Sequence, residues 1–172
     1  NKLETGIVQL QHFSQNVPAL YCSNLSVVDA NLNFIHKLRP HISTSLTKEQ
    51  SLIYNLGVGC TMIFNRCAAE LLYNSFPPQC KYHDFYLFQI CKFCGNVTYD
   101  NDSYIQYRQH GKNQIGGHVG VLSNFVNRLK FKSLDRICQN EASALLYGIG
   151  KLLSDEDRLL ISDFLMLHNS FK

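Results

Sequence analysis

The 172-residue sequence predicts an α/β body followed by an all-helical tail. Up to Gly117, short apolar runs bounded by glycine or proline alternate with segments of helical period; after it, only helical spacing remains. Hydrophobic residues make up 45% of the chain, enough for a substantial core at this size, where a domain buries roughly 70% of its unfolded surface. Residues 1–117 are therefore assigned to the body and 118–172 to the tail.

Leu3, Ile7, Leu10 and Phe13 recur at near-helical spacing, so residues 1–15 are expected to form an amphipathic helix entered without a cap of its own. Pro18 ends that pattern, and residues 19–23 form an apolar run suited to a buried strand. Residues 39–45 read as loop. Thr47 and Gln50 stand at capping-box spacing and open a helix expected over residues 48–55. Gly57 and Gly59 flank Val58, and a second strand is expected at residues 60–64. A helix over residues 66–73 must stop before Pro77-Pro78, because proline cannot continue it.

Residues 83–94 read as a helix with Phe85, Phe88 and Cys91 inward and Gly95 as its stop. Two strand-like pieces follow, at residues 96–99 and 104–110. In the tail, Leu122, Phe125, Val126 and Leu129 share one helical face, and Ala142, Leu145, Leu146, Ile149, Leu152 and Leu153 keep helical spacing. Ser154 with Asp157 repeats the capping-box spacing ahead of Leu160, Phe164 and Leu167.

Composition narrows the partners. Charged residues are 17%, below the ~25% of an average soluble domain. A net charge of +3 suits a phosphate-bearing small molecule and falls short of a nucleic-acid binder. Seven cysteines form an odd set in a chain too long to need staples, which fits a reducing, cytoplasmic compartment. Cys91 and Cys94 make a C-x-x-C inside an apolar helical stretch, with no second pair at finger spacing, and read as buried small hydrophobes.

Three polar clusters stand at the ends of expected elements, where an α/β sheet places its ligands. The first is Gly59-Cys60-Thr61, in which glycine allows close approach to the backbone and Thr61 offers a hydroxyl. The second is His83-Asp84 at a helix start, where an aspartate also serves as an ordinary cap. The third runs Tyr107-Arg108-Gln109-His110-Gly111-Lys112-Asn113 and combines a guanidinium for phosphate, an imidazole able to bind metal, an ammonium and a flexible glycine.

Gly59-Cys60-Thr61-Met62 with Phe64-Asn65-Arg66, then His83-Asp84, then Tyr107-Arg108-Gln109-His110-Gly111 with Asn113 and Gly116 resemble, in order and spacing, the rhamnosyltransferase-like branch of family 2 glycosyltransferases. The likeness runs from about Lys2 to Gly116, and Gln139-Asn140-Glu141-Ala142 is similar to the helical tail of that branch. It implies the C-terminal, acceptor-side half of a GT-A (Rossmann-like) domain plus tail, with the donor-binding half and its acidic metal motif upstream, since Asn1-Lys2-Leu3-Glu4 resembles the segment after that motif. It implies an inverting transfer, rhamnosyl in this branch, from a nucleotide-sugar donor to a hydroxyl of a glycan or lipid-linked glycan acceptor in cell-surface polysaccharide synthesis. The cofactor implied is Mg²⁺ or Mn²⁺, held mainly upstream.

Carried over by position, Asp84 matches the general base, and His110 the histidine that reaches metal or diphosphate. Arg108 stands beside it on the diphosphate side, and Gly59, Cys60, Thr61 and His83 stand on the acceptor side. Asn24 departs from the branch, whose members often carry an acid there. Two other readings remain open. Lys112, Arg128, Lys130, Lys132 and Arg136 could dock the tail on a partner or on anionic lipid at the inner membrane face, making the chain a non-catalytic module. Cys91, Cys94 and nearby histidines could make a zinc or thiol protein.

Overall fold

Strand β1 (Ala19–Val28) is the axis of a four-stranded mixed sheet, and it is buried along nearly its whole length. The computed structural model describes residues 1–39, 45–78, 80–108 and 123–169, with side chains except at 123–135 and 168–169. On one edge of β1, strand β4 (Asn96–Arg108) runs parallel to it over its full length. On the other edge two short antiparallel strands stand in tandem. Strand β3 (Met62–Phe64) pairs with Leu20–Cys22, and strand β2 (Phe34–Lys37) pairs with Ser26–Val28. The described residues thus form a mixed α/β structure, and no described helix is long and apolar enough to cross a membrane.

Helix α1 (Lys2–Gln11) is capped, contrary to expectation: Asn1 Oδ1 accepts from the backbone N–H of Leu3 and Glu4, and Glu4 completes the capping box. Its inward face also differs from the apolar pattern. Gly6 and Leu10 are buried while Leu3 and Ile7 stay half exposed, because the helix approaches the sheet at Gly6, where a side chain would collide with Ile63 and Tyr21.

Helix α2 (Lys48–Ser51) opens with the expected box, Thr47 Oγ1 accepting from Gln50 N–H at 3.3 Å, but ends four residues early. The expected strand at 60–64 shortens because Gly59–Thr61 coil into a 3₁₀ turn, leaving β3. Helix α3 (Arg66–Ser75) is capped by Asn65 and ends two residues before Pro77, with Phe76 extended as a residue preceding proline tends to be. Asn65 does more than cap: its Oδ1 also accepts from Ala19 N–H, and its Nδ2 donates to the Val17 carbonyl. The Phe64-Asn65-Arg66 motif therefore pins the start of β1.

Helix α4 (His83–Cys94) has the expected bounds but is buried on two sides. Leu87, Phe88 and Cys91 join a core with Leu20, Cys22, Met62 and Tyr99 of the sheet. Tyr86, Ile90 and Phe93 join a second core with Ala142, Leu145 and Ile149 of α5 (Ser123–Ile149) and Ile161 of α6 (Asp155–Asn169). The two strand pieces expected after Gly95 are one strand, because a bulge at 101–102 carries β4 through the interruption. Asp100 holds that bulge, accepting from the Tyr21 and Tyr104 hydroxyls and from Asp102 N–H. In the tail, helical spacing extends to Leu153 but α5 ends at Ile149, followed by a 3₁₀ turn over Gly150–Leu152. Ser154 caps α6 through Asp157 N–H at 3.1 Å. The assigned body–tail boundary at residue 117 lies outside the described residues.

Candidate functional site

The site is built on the loop between α2 and β3, residues 55–61, which passes over the N-terminus of α4. Val58 and Thr61 close its turn. The Thr61 hydroxyl donates to the Val58 carbonyl at 2.8 Å and accepts from Val58 N–H at 3.2 Å, and the residue is fully buried. Thr61 thus spends its hydroxyl on the backbone, whereas Gly59 and Cys60 face outward.

Asp84 sits in the first turn of α4, partly buried. Its Oδ1 accepts from Phe85 N–H at 2.8 Å and its Oδ2 from Gly59 N–H at 3.2 Å, 25 residues away. A carboxylate has about four lone-pair positions, so two remain to accept a further proton donor. His83 is exposed beside it, and its Nε2 lies 3.3 Å from where a Cβ on Gly59 would stand. Glycine here leaves the imidazole and carboxylate next to an open stretch of backbone.

Four side chains outside the expected set hold this arrangement. Lys2 Nζ donates to the Cys60 carbonyl at 2.7 Å, tying α1 to the turn. Arg39 Nε donates to the Leu56 carbonyl at 3.1 Å, and its Nη2 to that of Asn55. Burial lowers the affinity of that guanidinium for its proton, while Tyr99, Cys22 and Asp84 act the other way. Asn24 clamps the Arg39 backbone on both sides, accepting from its N–H at 3.2 Å and donating to its carbonyl at 2.8 Å. The departure noted at Asn24 is therefore a structural clamp that an acid, lacking a donor, cannot reproduce.

Glu141 comes from the tail and is fully buried. Its Oε1 accepts from Lys81 N–H at 3.1 Å and Tyr82 N–H at 3.4 Å, and its Oε2 from the Cys80 thiol at 3.1 Å. Burial, then the hydrogen bond the thiol donates to this carboxylate, pushes the Cys80 thiol up to about 12. No side chain caps α4 locally at Tyr82. The one sequence signal for Glu141 was its place in the Gln139–Ala142 run, and spacing alone could not connect it to a segment some 60 residues earlier.

The structure thus brings Gly59, Cys60, Thr61, His83 and Asp84 together. Arg108 is exposed at the last position of β4, opposite Val28, on the other side of β1 from the turn. His110, with the rest of the segment 109–122, lies outside the described residues. Among the described residues no group of three or more His, Cys, Asp or Glu side chains is placed to hold a metal ion, so the described part does not by itself fit a divalent cation. Cys91 is buried in the sheet-side core and burial pushes its thiol, like that of Cys94, upward. No protein-family model matches the chain, and neither curated proteins nor solved structures include a match to it.

Proposed function

We propose that the chain carries the acceptor-side, catalytic-base half of an inverting GT-A glycosyltransferase, with Asp84 as the base. The observation that supports this best is a half-buried carboxylate whose oxygens rest on two backbone N–H groups and keep acceptor capacity toward an open glycine and an exposed histidine. In the proposed step an acceptor hydroxyl gives its proton to Asp84 as its oxygen attacks the anomeric carbon. The bond from that carbon to the nucleotide diphosphate breaks, and the diphosphate leaves from the opposite face. His83 and the Gly59–Cys60 backbone are the groups that orient the incoming sugar. Rhamnose as the transferred sugar, a polysaccharide acceptor, and Arg108 and His110 on the diphosphate side rest on the resemblance, and work at the inner membrane face rests on the basic residues near the start of the tail.

Substitution Asp84→Asn in the intact protein tests the reading. General-base contributions are typically about 10²–10⁴-fold, so kcat should fall by that order while donor affinity stays nearly unchanged. Asparagine can accept only one of the two N–H bonds, so a stability loss on the order of 1 kcal/mol should accompany it. A folded variant with near-normal turnover would leave Asp84 a helix cap and sink the assignment.

A further inference from the structure

We infer that Glu141 is a positioning residue for Asp84, holding from the tail helix the backbone that leads into α4. The inference rests on the reading of Asp84 as base.

A fully buried carboxylate is costly unless its oxygens are satisfied, and among the described residues its partners are two successive backbone N–H groups and a thiol. These partners are informative in their position. Lys81 and Tyr82 immediately precede His83, at the end of a helix where backbone N–H groups lack intrahelical partners and the dipole favours negative charge. Glu141 therefore takes from a distance the backbone N–H of the N-cap residue Tyr82, the group that an acid at the third helical position takes in a capping box, and Tyr82 itself offers no side-chain cap. The Cys80 thiol keeps its proton and donates it to Oε2, which leaves both carboxylate oxygens engaged.

What this fixes is the starting point of α4. His83 and Asp84 follow Tyr82 by helical geometry, so wherever Glu141 sets the Tyr82 amide, the Asp84 carboxylate is set within the same turn. The opposite side of the site is held independently, by Arg39 on the carbonyls of Asn55 and Leu56 and by Lys2 on that of Cys60. Asp84 and Gly59 therefore meet because two separate anchors, one in the body and one in the tail, agree. A misplacement of about 1 Å at a reacting group can cost about 10²-fold in rate.

The experiment is Glu141→Gln, with Glu141→Asp as the companion, in the intact protein and in the Asp84→Asn background. Glutamine keeps the shape but turns one acceptor into a donor. Amide hydrogen exchange over residues 80–85 should speed at least tenfold, kcat should fall about 10–100-fold, and donor affinity should hold. Because Glu141 works through Asp84, its effect on kcat should vanish once Asp84 is already asparagine. Unchanged exchange with unchanged kcat in both Glu141 variants would overturn the inference, as would an equal further loss of kcat in the Asp84→Asn background. Should Asp84→Asn itself stay active, the base reading fails, and faster exchange with unchanged kcat would remove the positioning role with it.

Discussion

Toward the sheet, α4 sets Leu87, Phe88 and Cys91 against Leu20, Cys22, Met62 and Tyr99; toward the tail, it sets Tyr86, Ile90 and Phe93 against Ala142, Leu145 and Ile149. Both faces are apolar, yet their polar support differs. On the sheet side, Asn24, Asn65 and Arg39 bond to backbone groups from β1 to the 55–61 loop. On the tail side, the buried Glu141 bonds to the backbone leading into α4, the Cys138 thiol donates to the Ile53 carbonyl at 3.6 Å, and Lys48 Nζ pairs with Asp157 at 2.7 Å. Apolar burial is non-directional and decides which faces meet, whereas hydrogen bonds to backbone have direction and decide where along those faces a residue stops. The position of Asp84 needs both kinds.

The two faces of α4 would be independent of each other if the two cores unfolded separately. Phe88→Ala should cost about 3–5 kcal/mol and Leu145→Ala about 2–5 kcal/mol, each leaving a cavity in a packed interior. Because α4 belongs to both cores, each variant should shift one cooperative denaturant transition, seen alike by tyrosine fluorescence and by far-ultraviolet circular dichroism. A Leu145→Ala variant that lost helical signal early while the sheet stayed folded would mean the tail is a separate unit.

A smaller effect sharpens the polar half of the contrast. Asn24→Ala removes both bonds to the Arg39 backbone and should destabilise by about 1–3 kcal/mol, the cost of leaving buried polar groups unsatisfied. Asn24→Asp should recover little, since it restores the acceptor but not the donor. If the aspartate variant melted like wild type, the clamp on Arg39 would not matter.

The smallest expected effect is a slope with pH. The Cys22 thiol, fully buried against the sheet, is pushed up to about 12 by burial, while the reference thiol titrates at 9.0. Below pH 9 both folded and unfolded chains hold this proton and the contribution is whole. Between about 9 and 12 the unfolded chain releases it first, so stability falls as pH rises, on the order of 1 kcal/mol by pH 10. Cys80, on the tail side, is also pushed up to about 12, but it is partly exposed and solvent screens part of that shift. Melting temperature followed from pH 8.5 to 10.5 should decline, and Cys22→Ala should remove more of the slope than Cys80→Ala. Equal slopes in both variants would put the two thiols in equivalent surroundings.

How much was legible follows the range of the interactions. The bounds of α4, the caps at Thr47 and Ser154, and the stop before Pro77 come from bonds or clashes within a few residues, so spacing reveals them. The His83-Asp84 pair could be singled out because a helix start is a local event. Strand β2 and the full length of β1 escaped, because a polar residue such as Asn24 or Ser26 inside a strand becomes intelligible only when its partner strand is known. The cap on α1 is local as well, yet the near-helical spacing of Leu3, Ile7, Leu10 and Phe13 carries no mark of where the helix begins.

Taken by itself, the sequence determined the mixed α/β character, the apolar faces and the residues able to do chemistry at Gly59, His83 and Asp84, since composition and period are properties of neighbours along the chain. Tertiary structure alone decided that the Gly59 N–H would meet the Asp84 carboxylate, that Asn24 would hold Arg39, and that a carboxylate from the tail would hold the backbone leading into α4 across some 60 residues. Each of those is a directional bond between segments far apart in sequence, and its geometry exists only after the cores on both faces of α4 have closed.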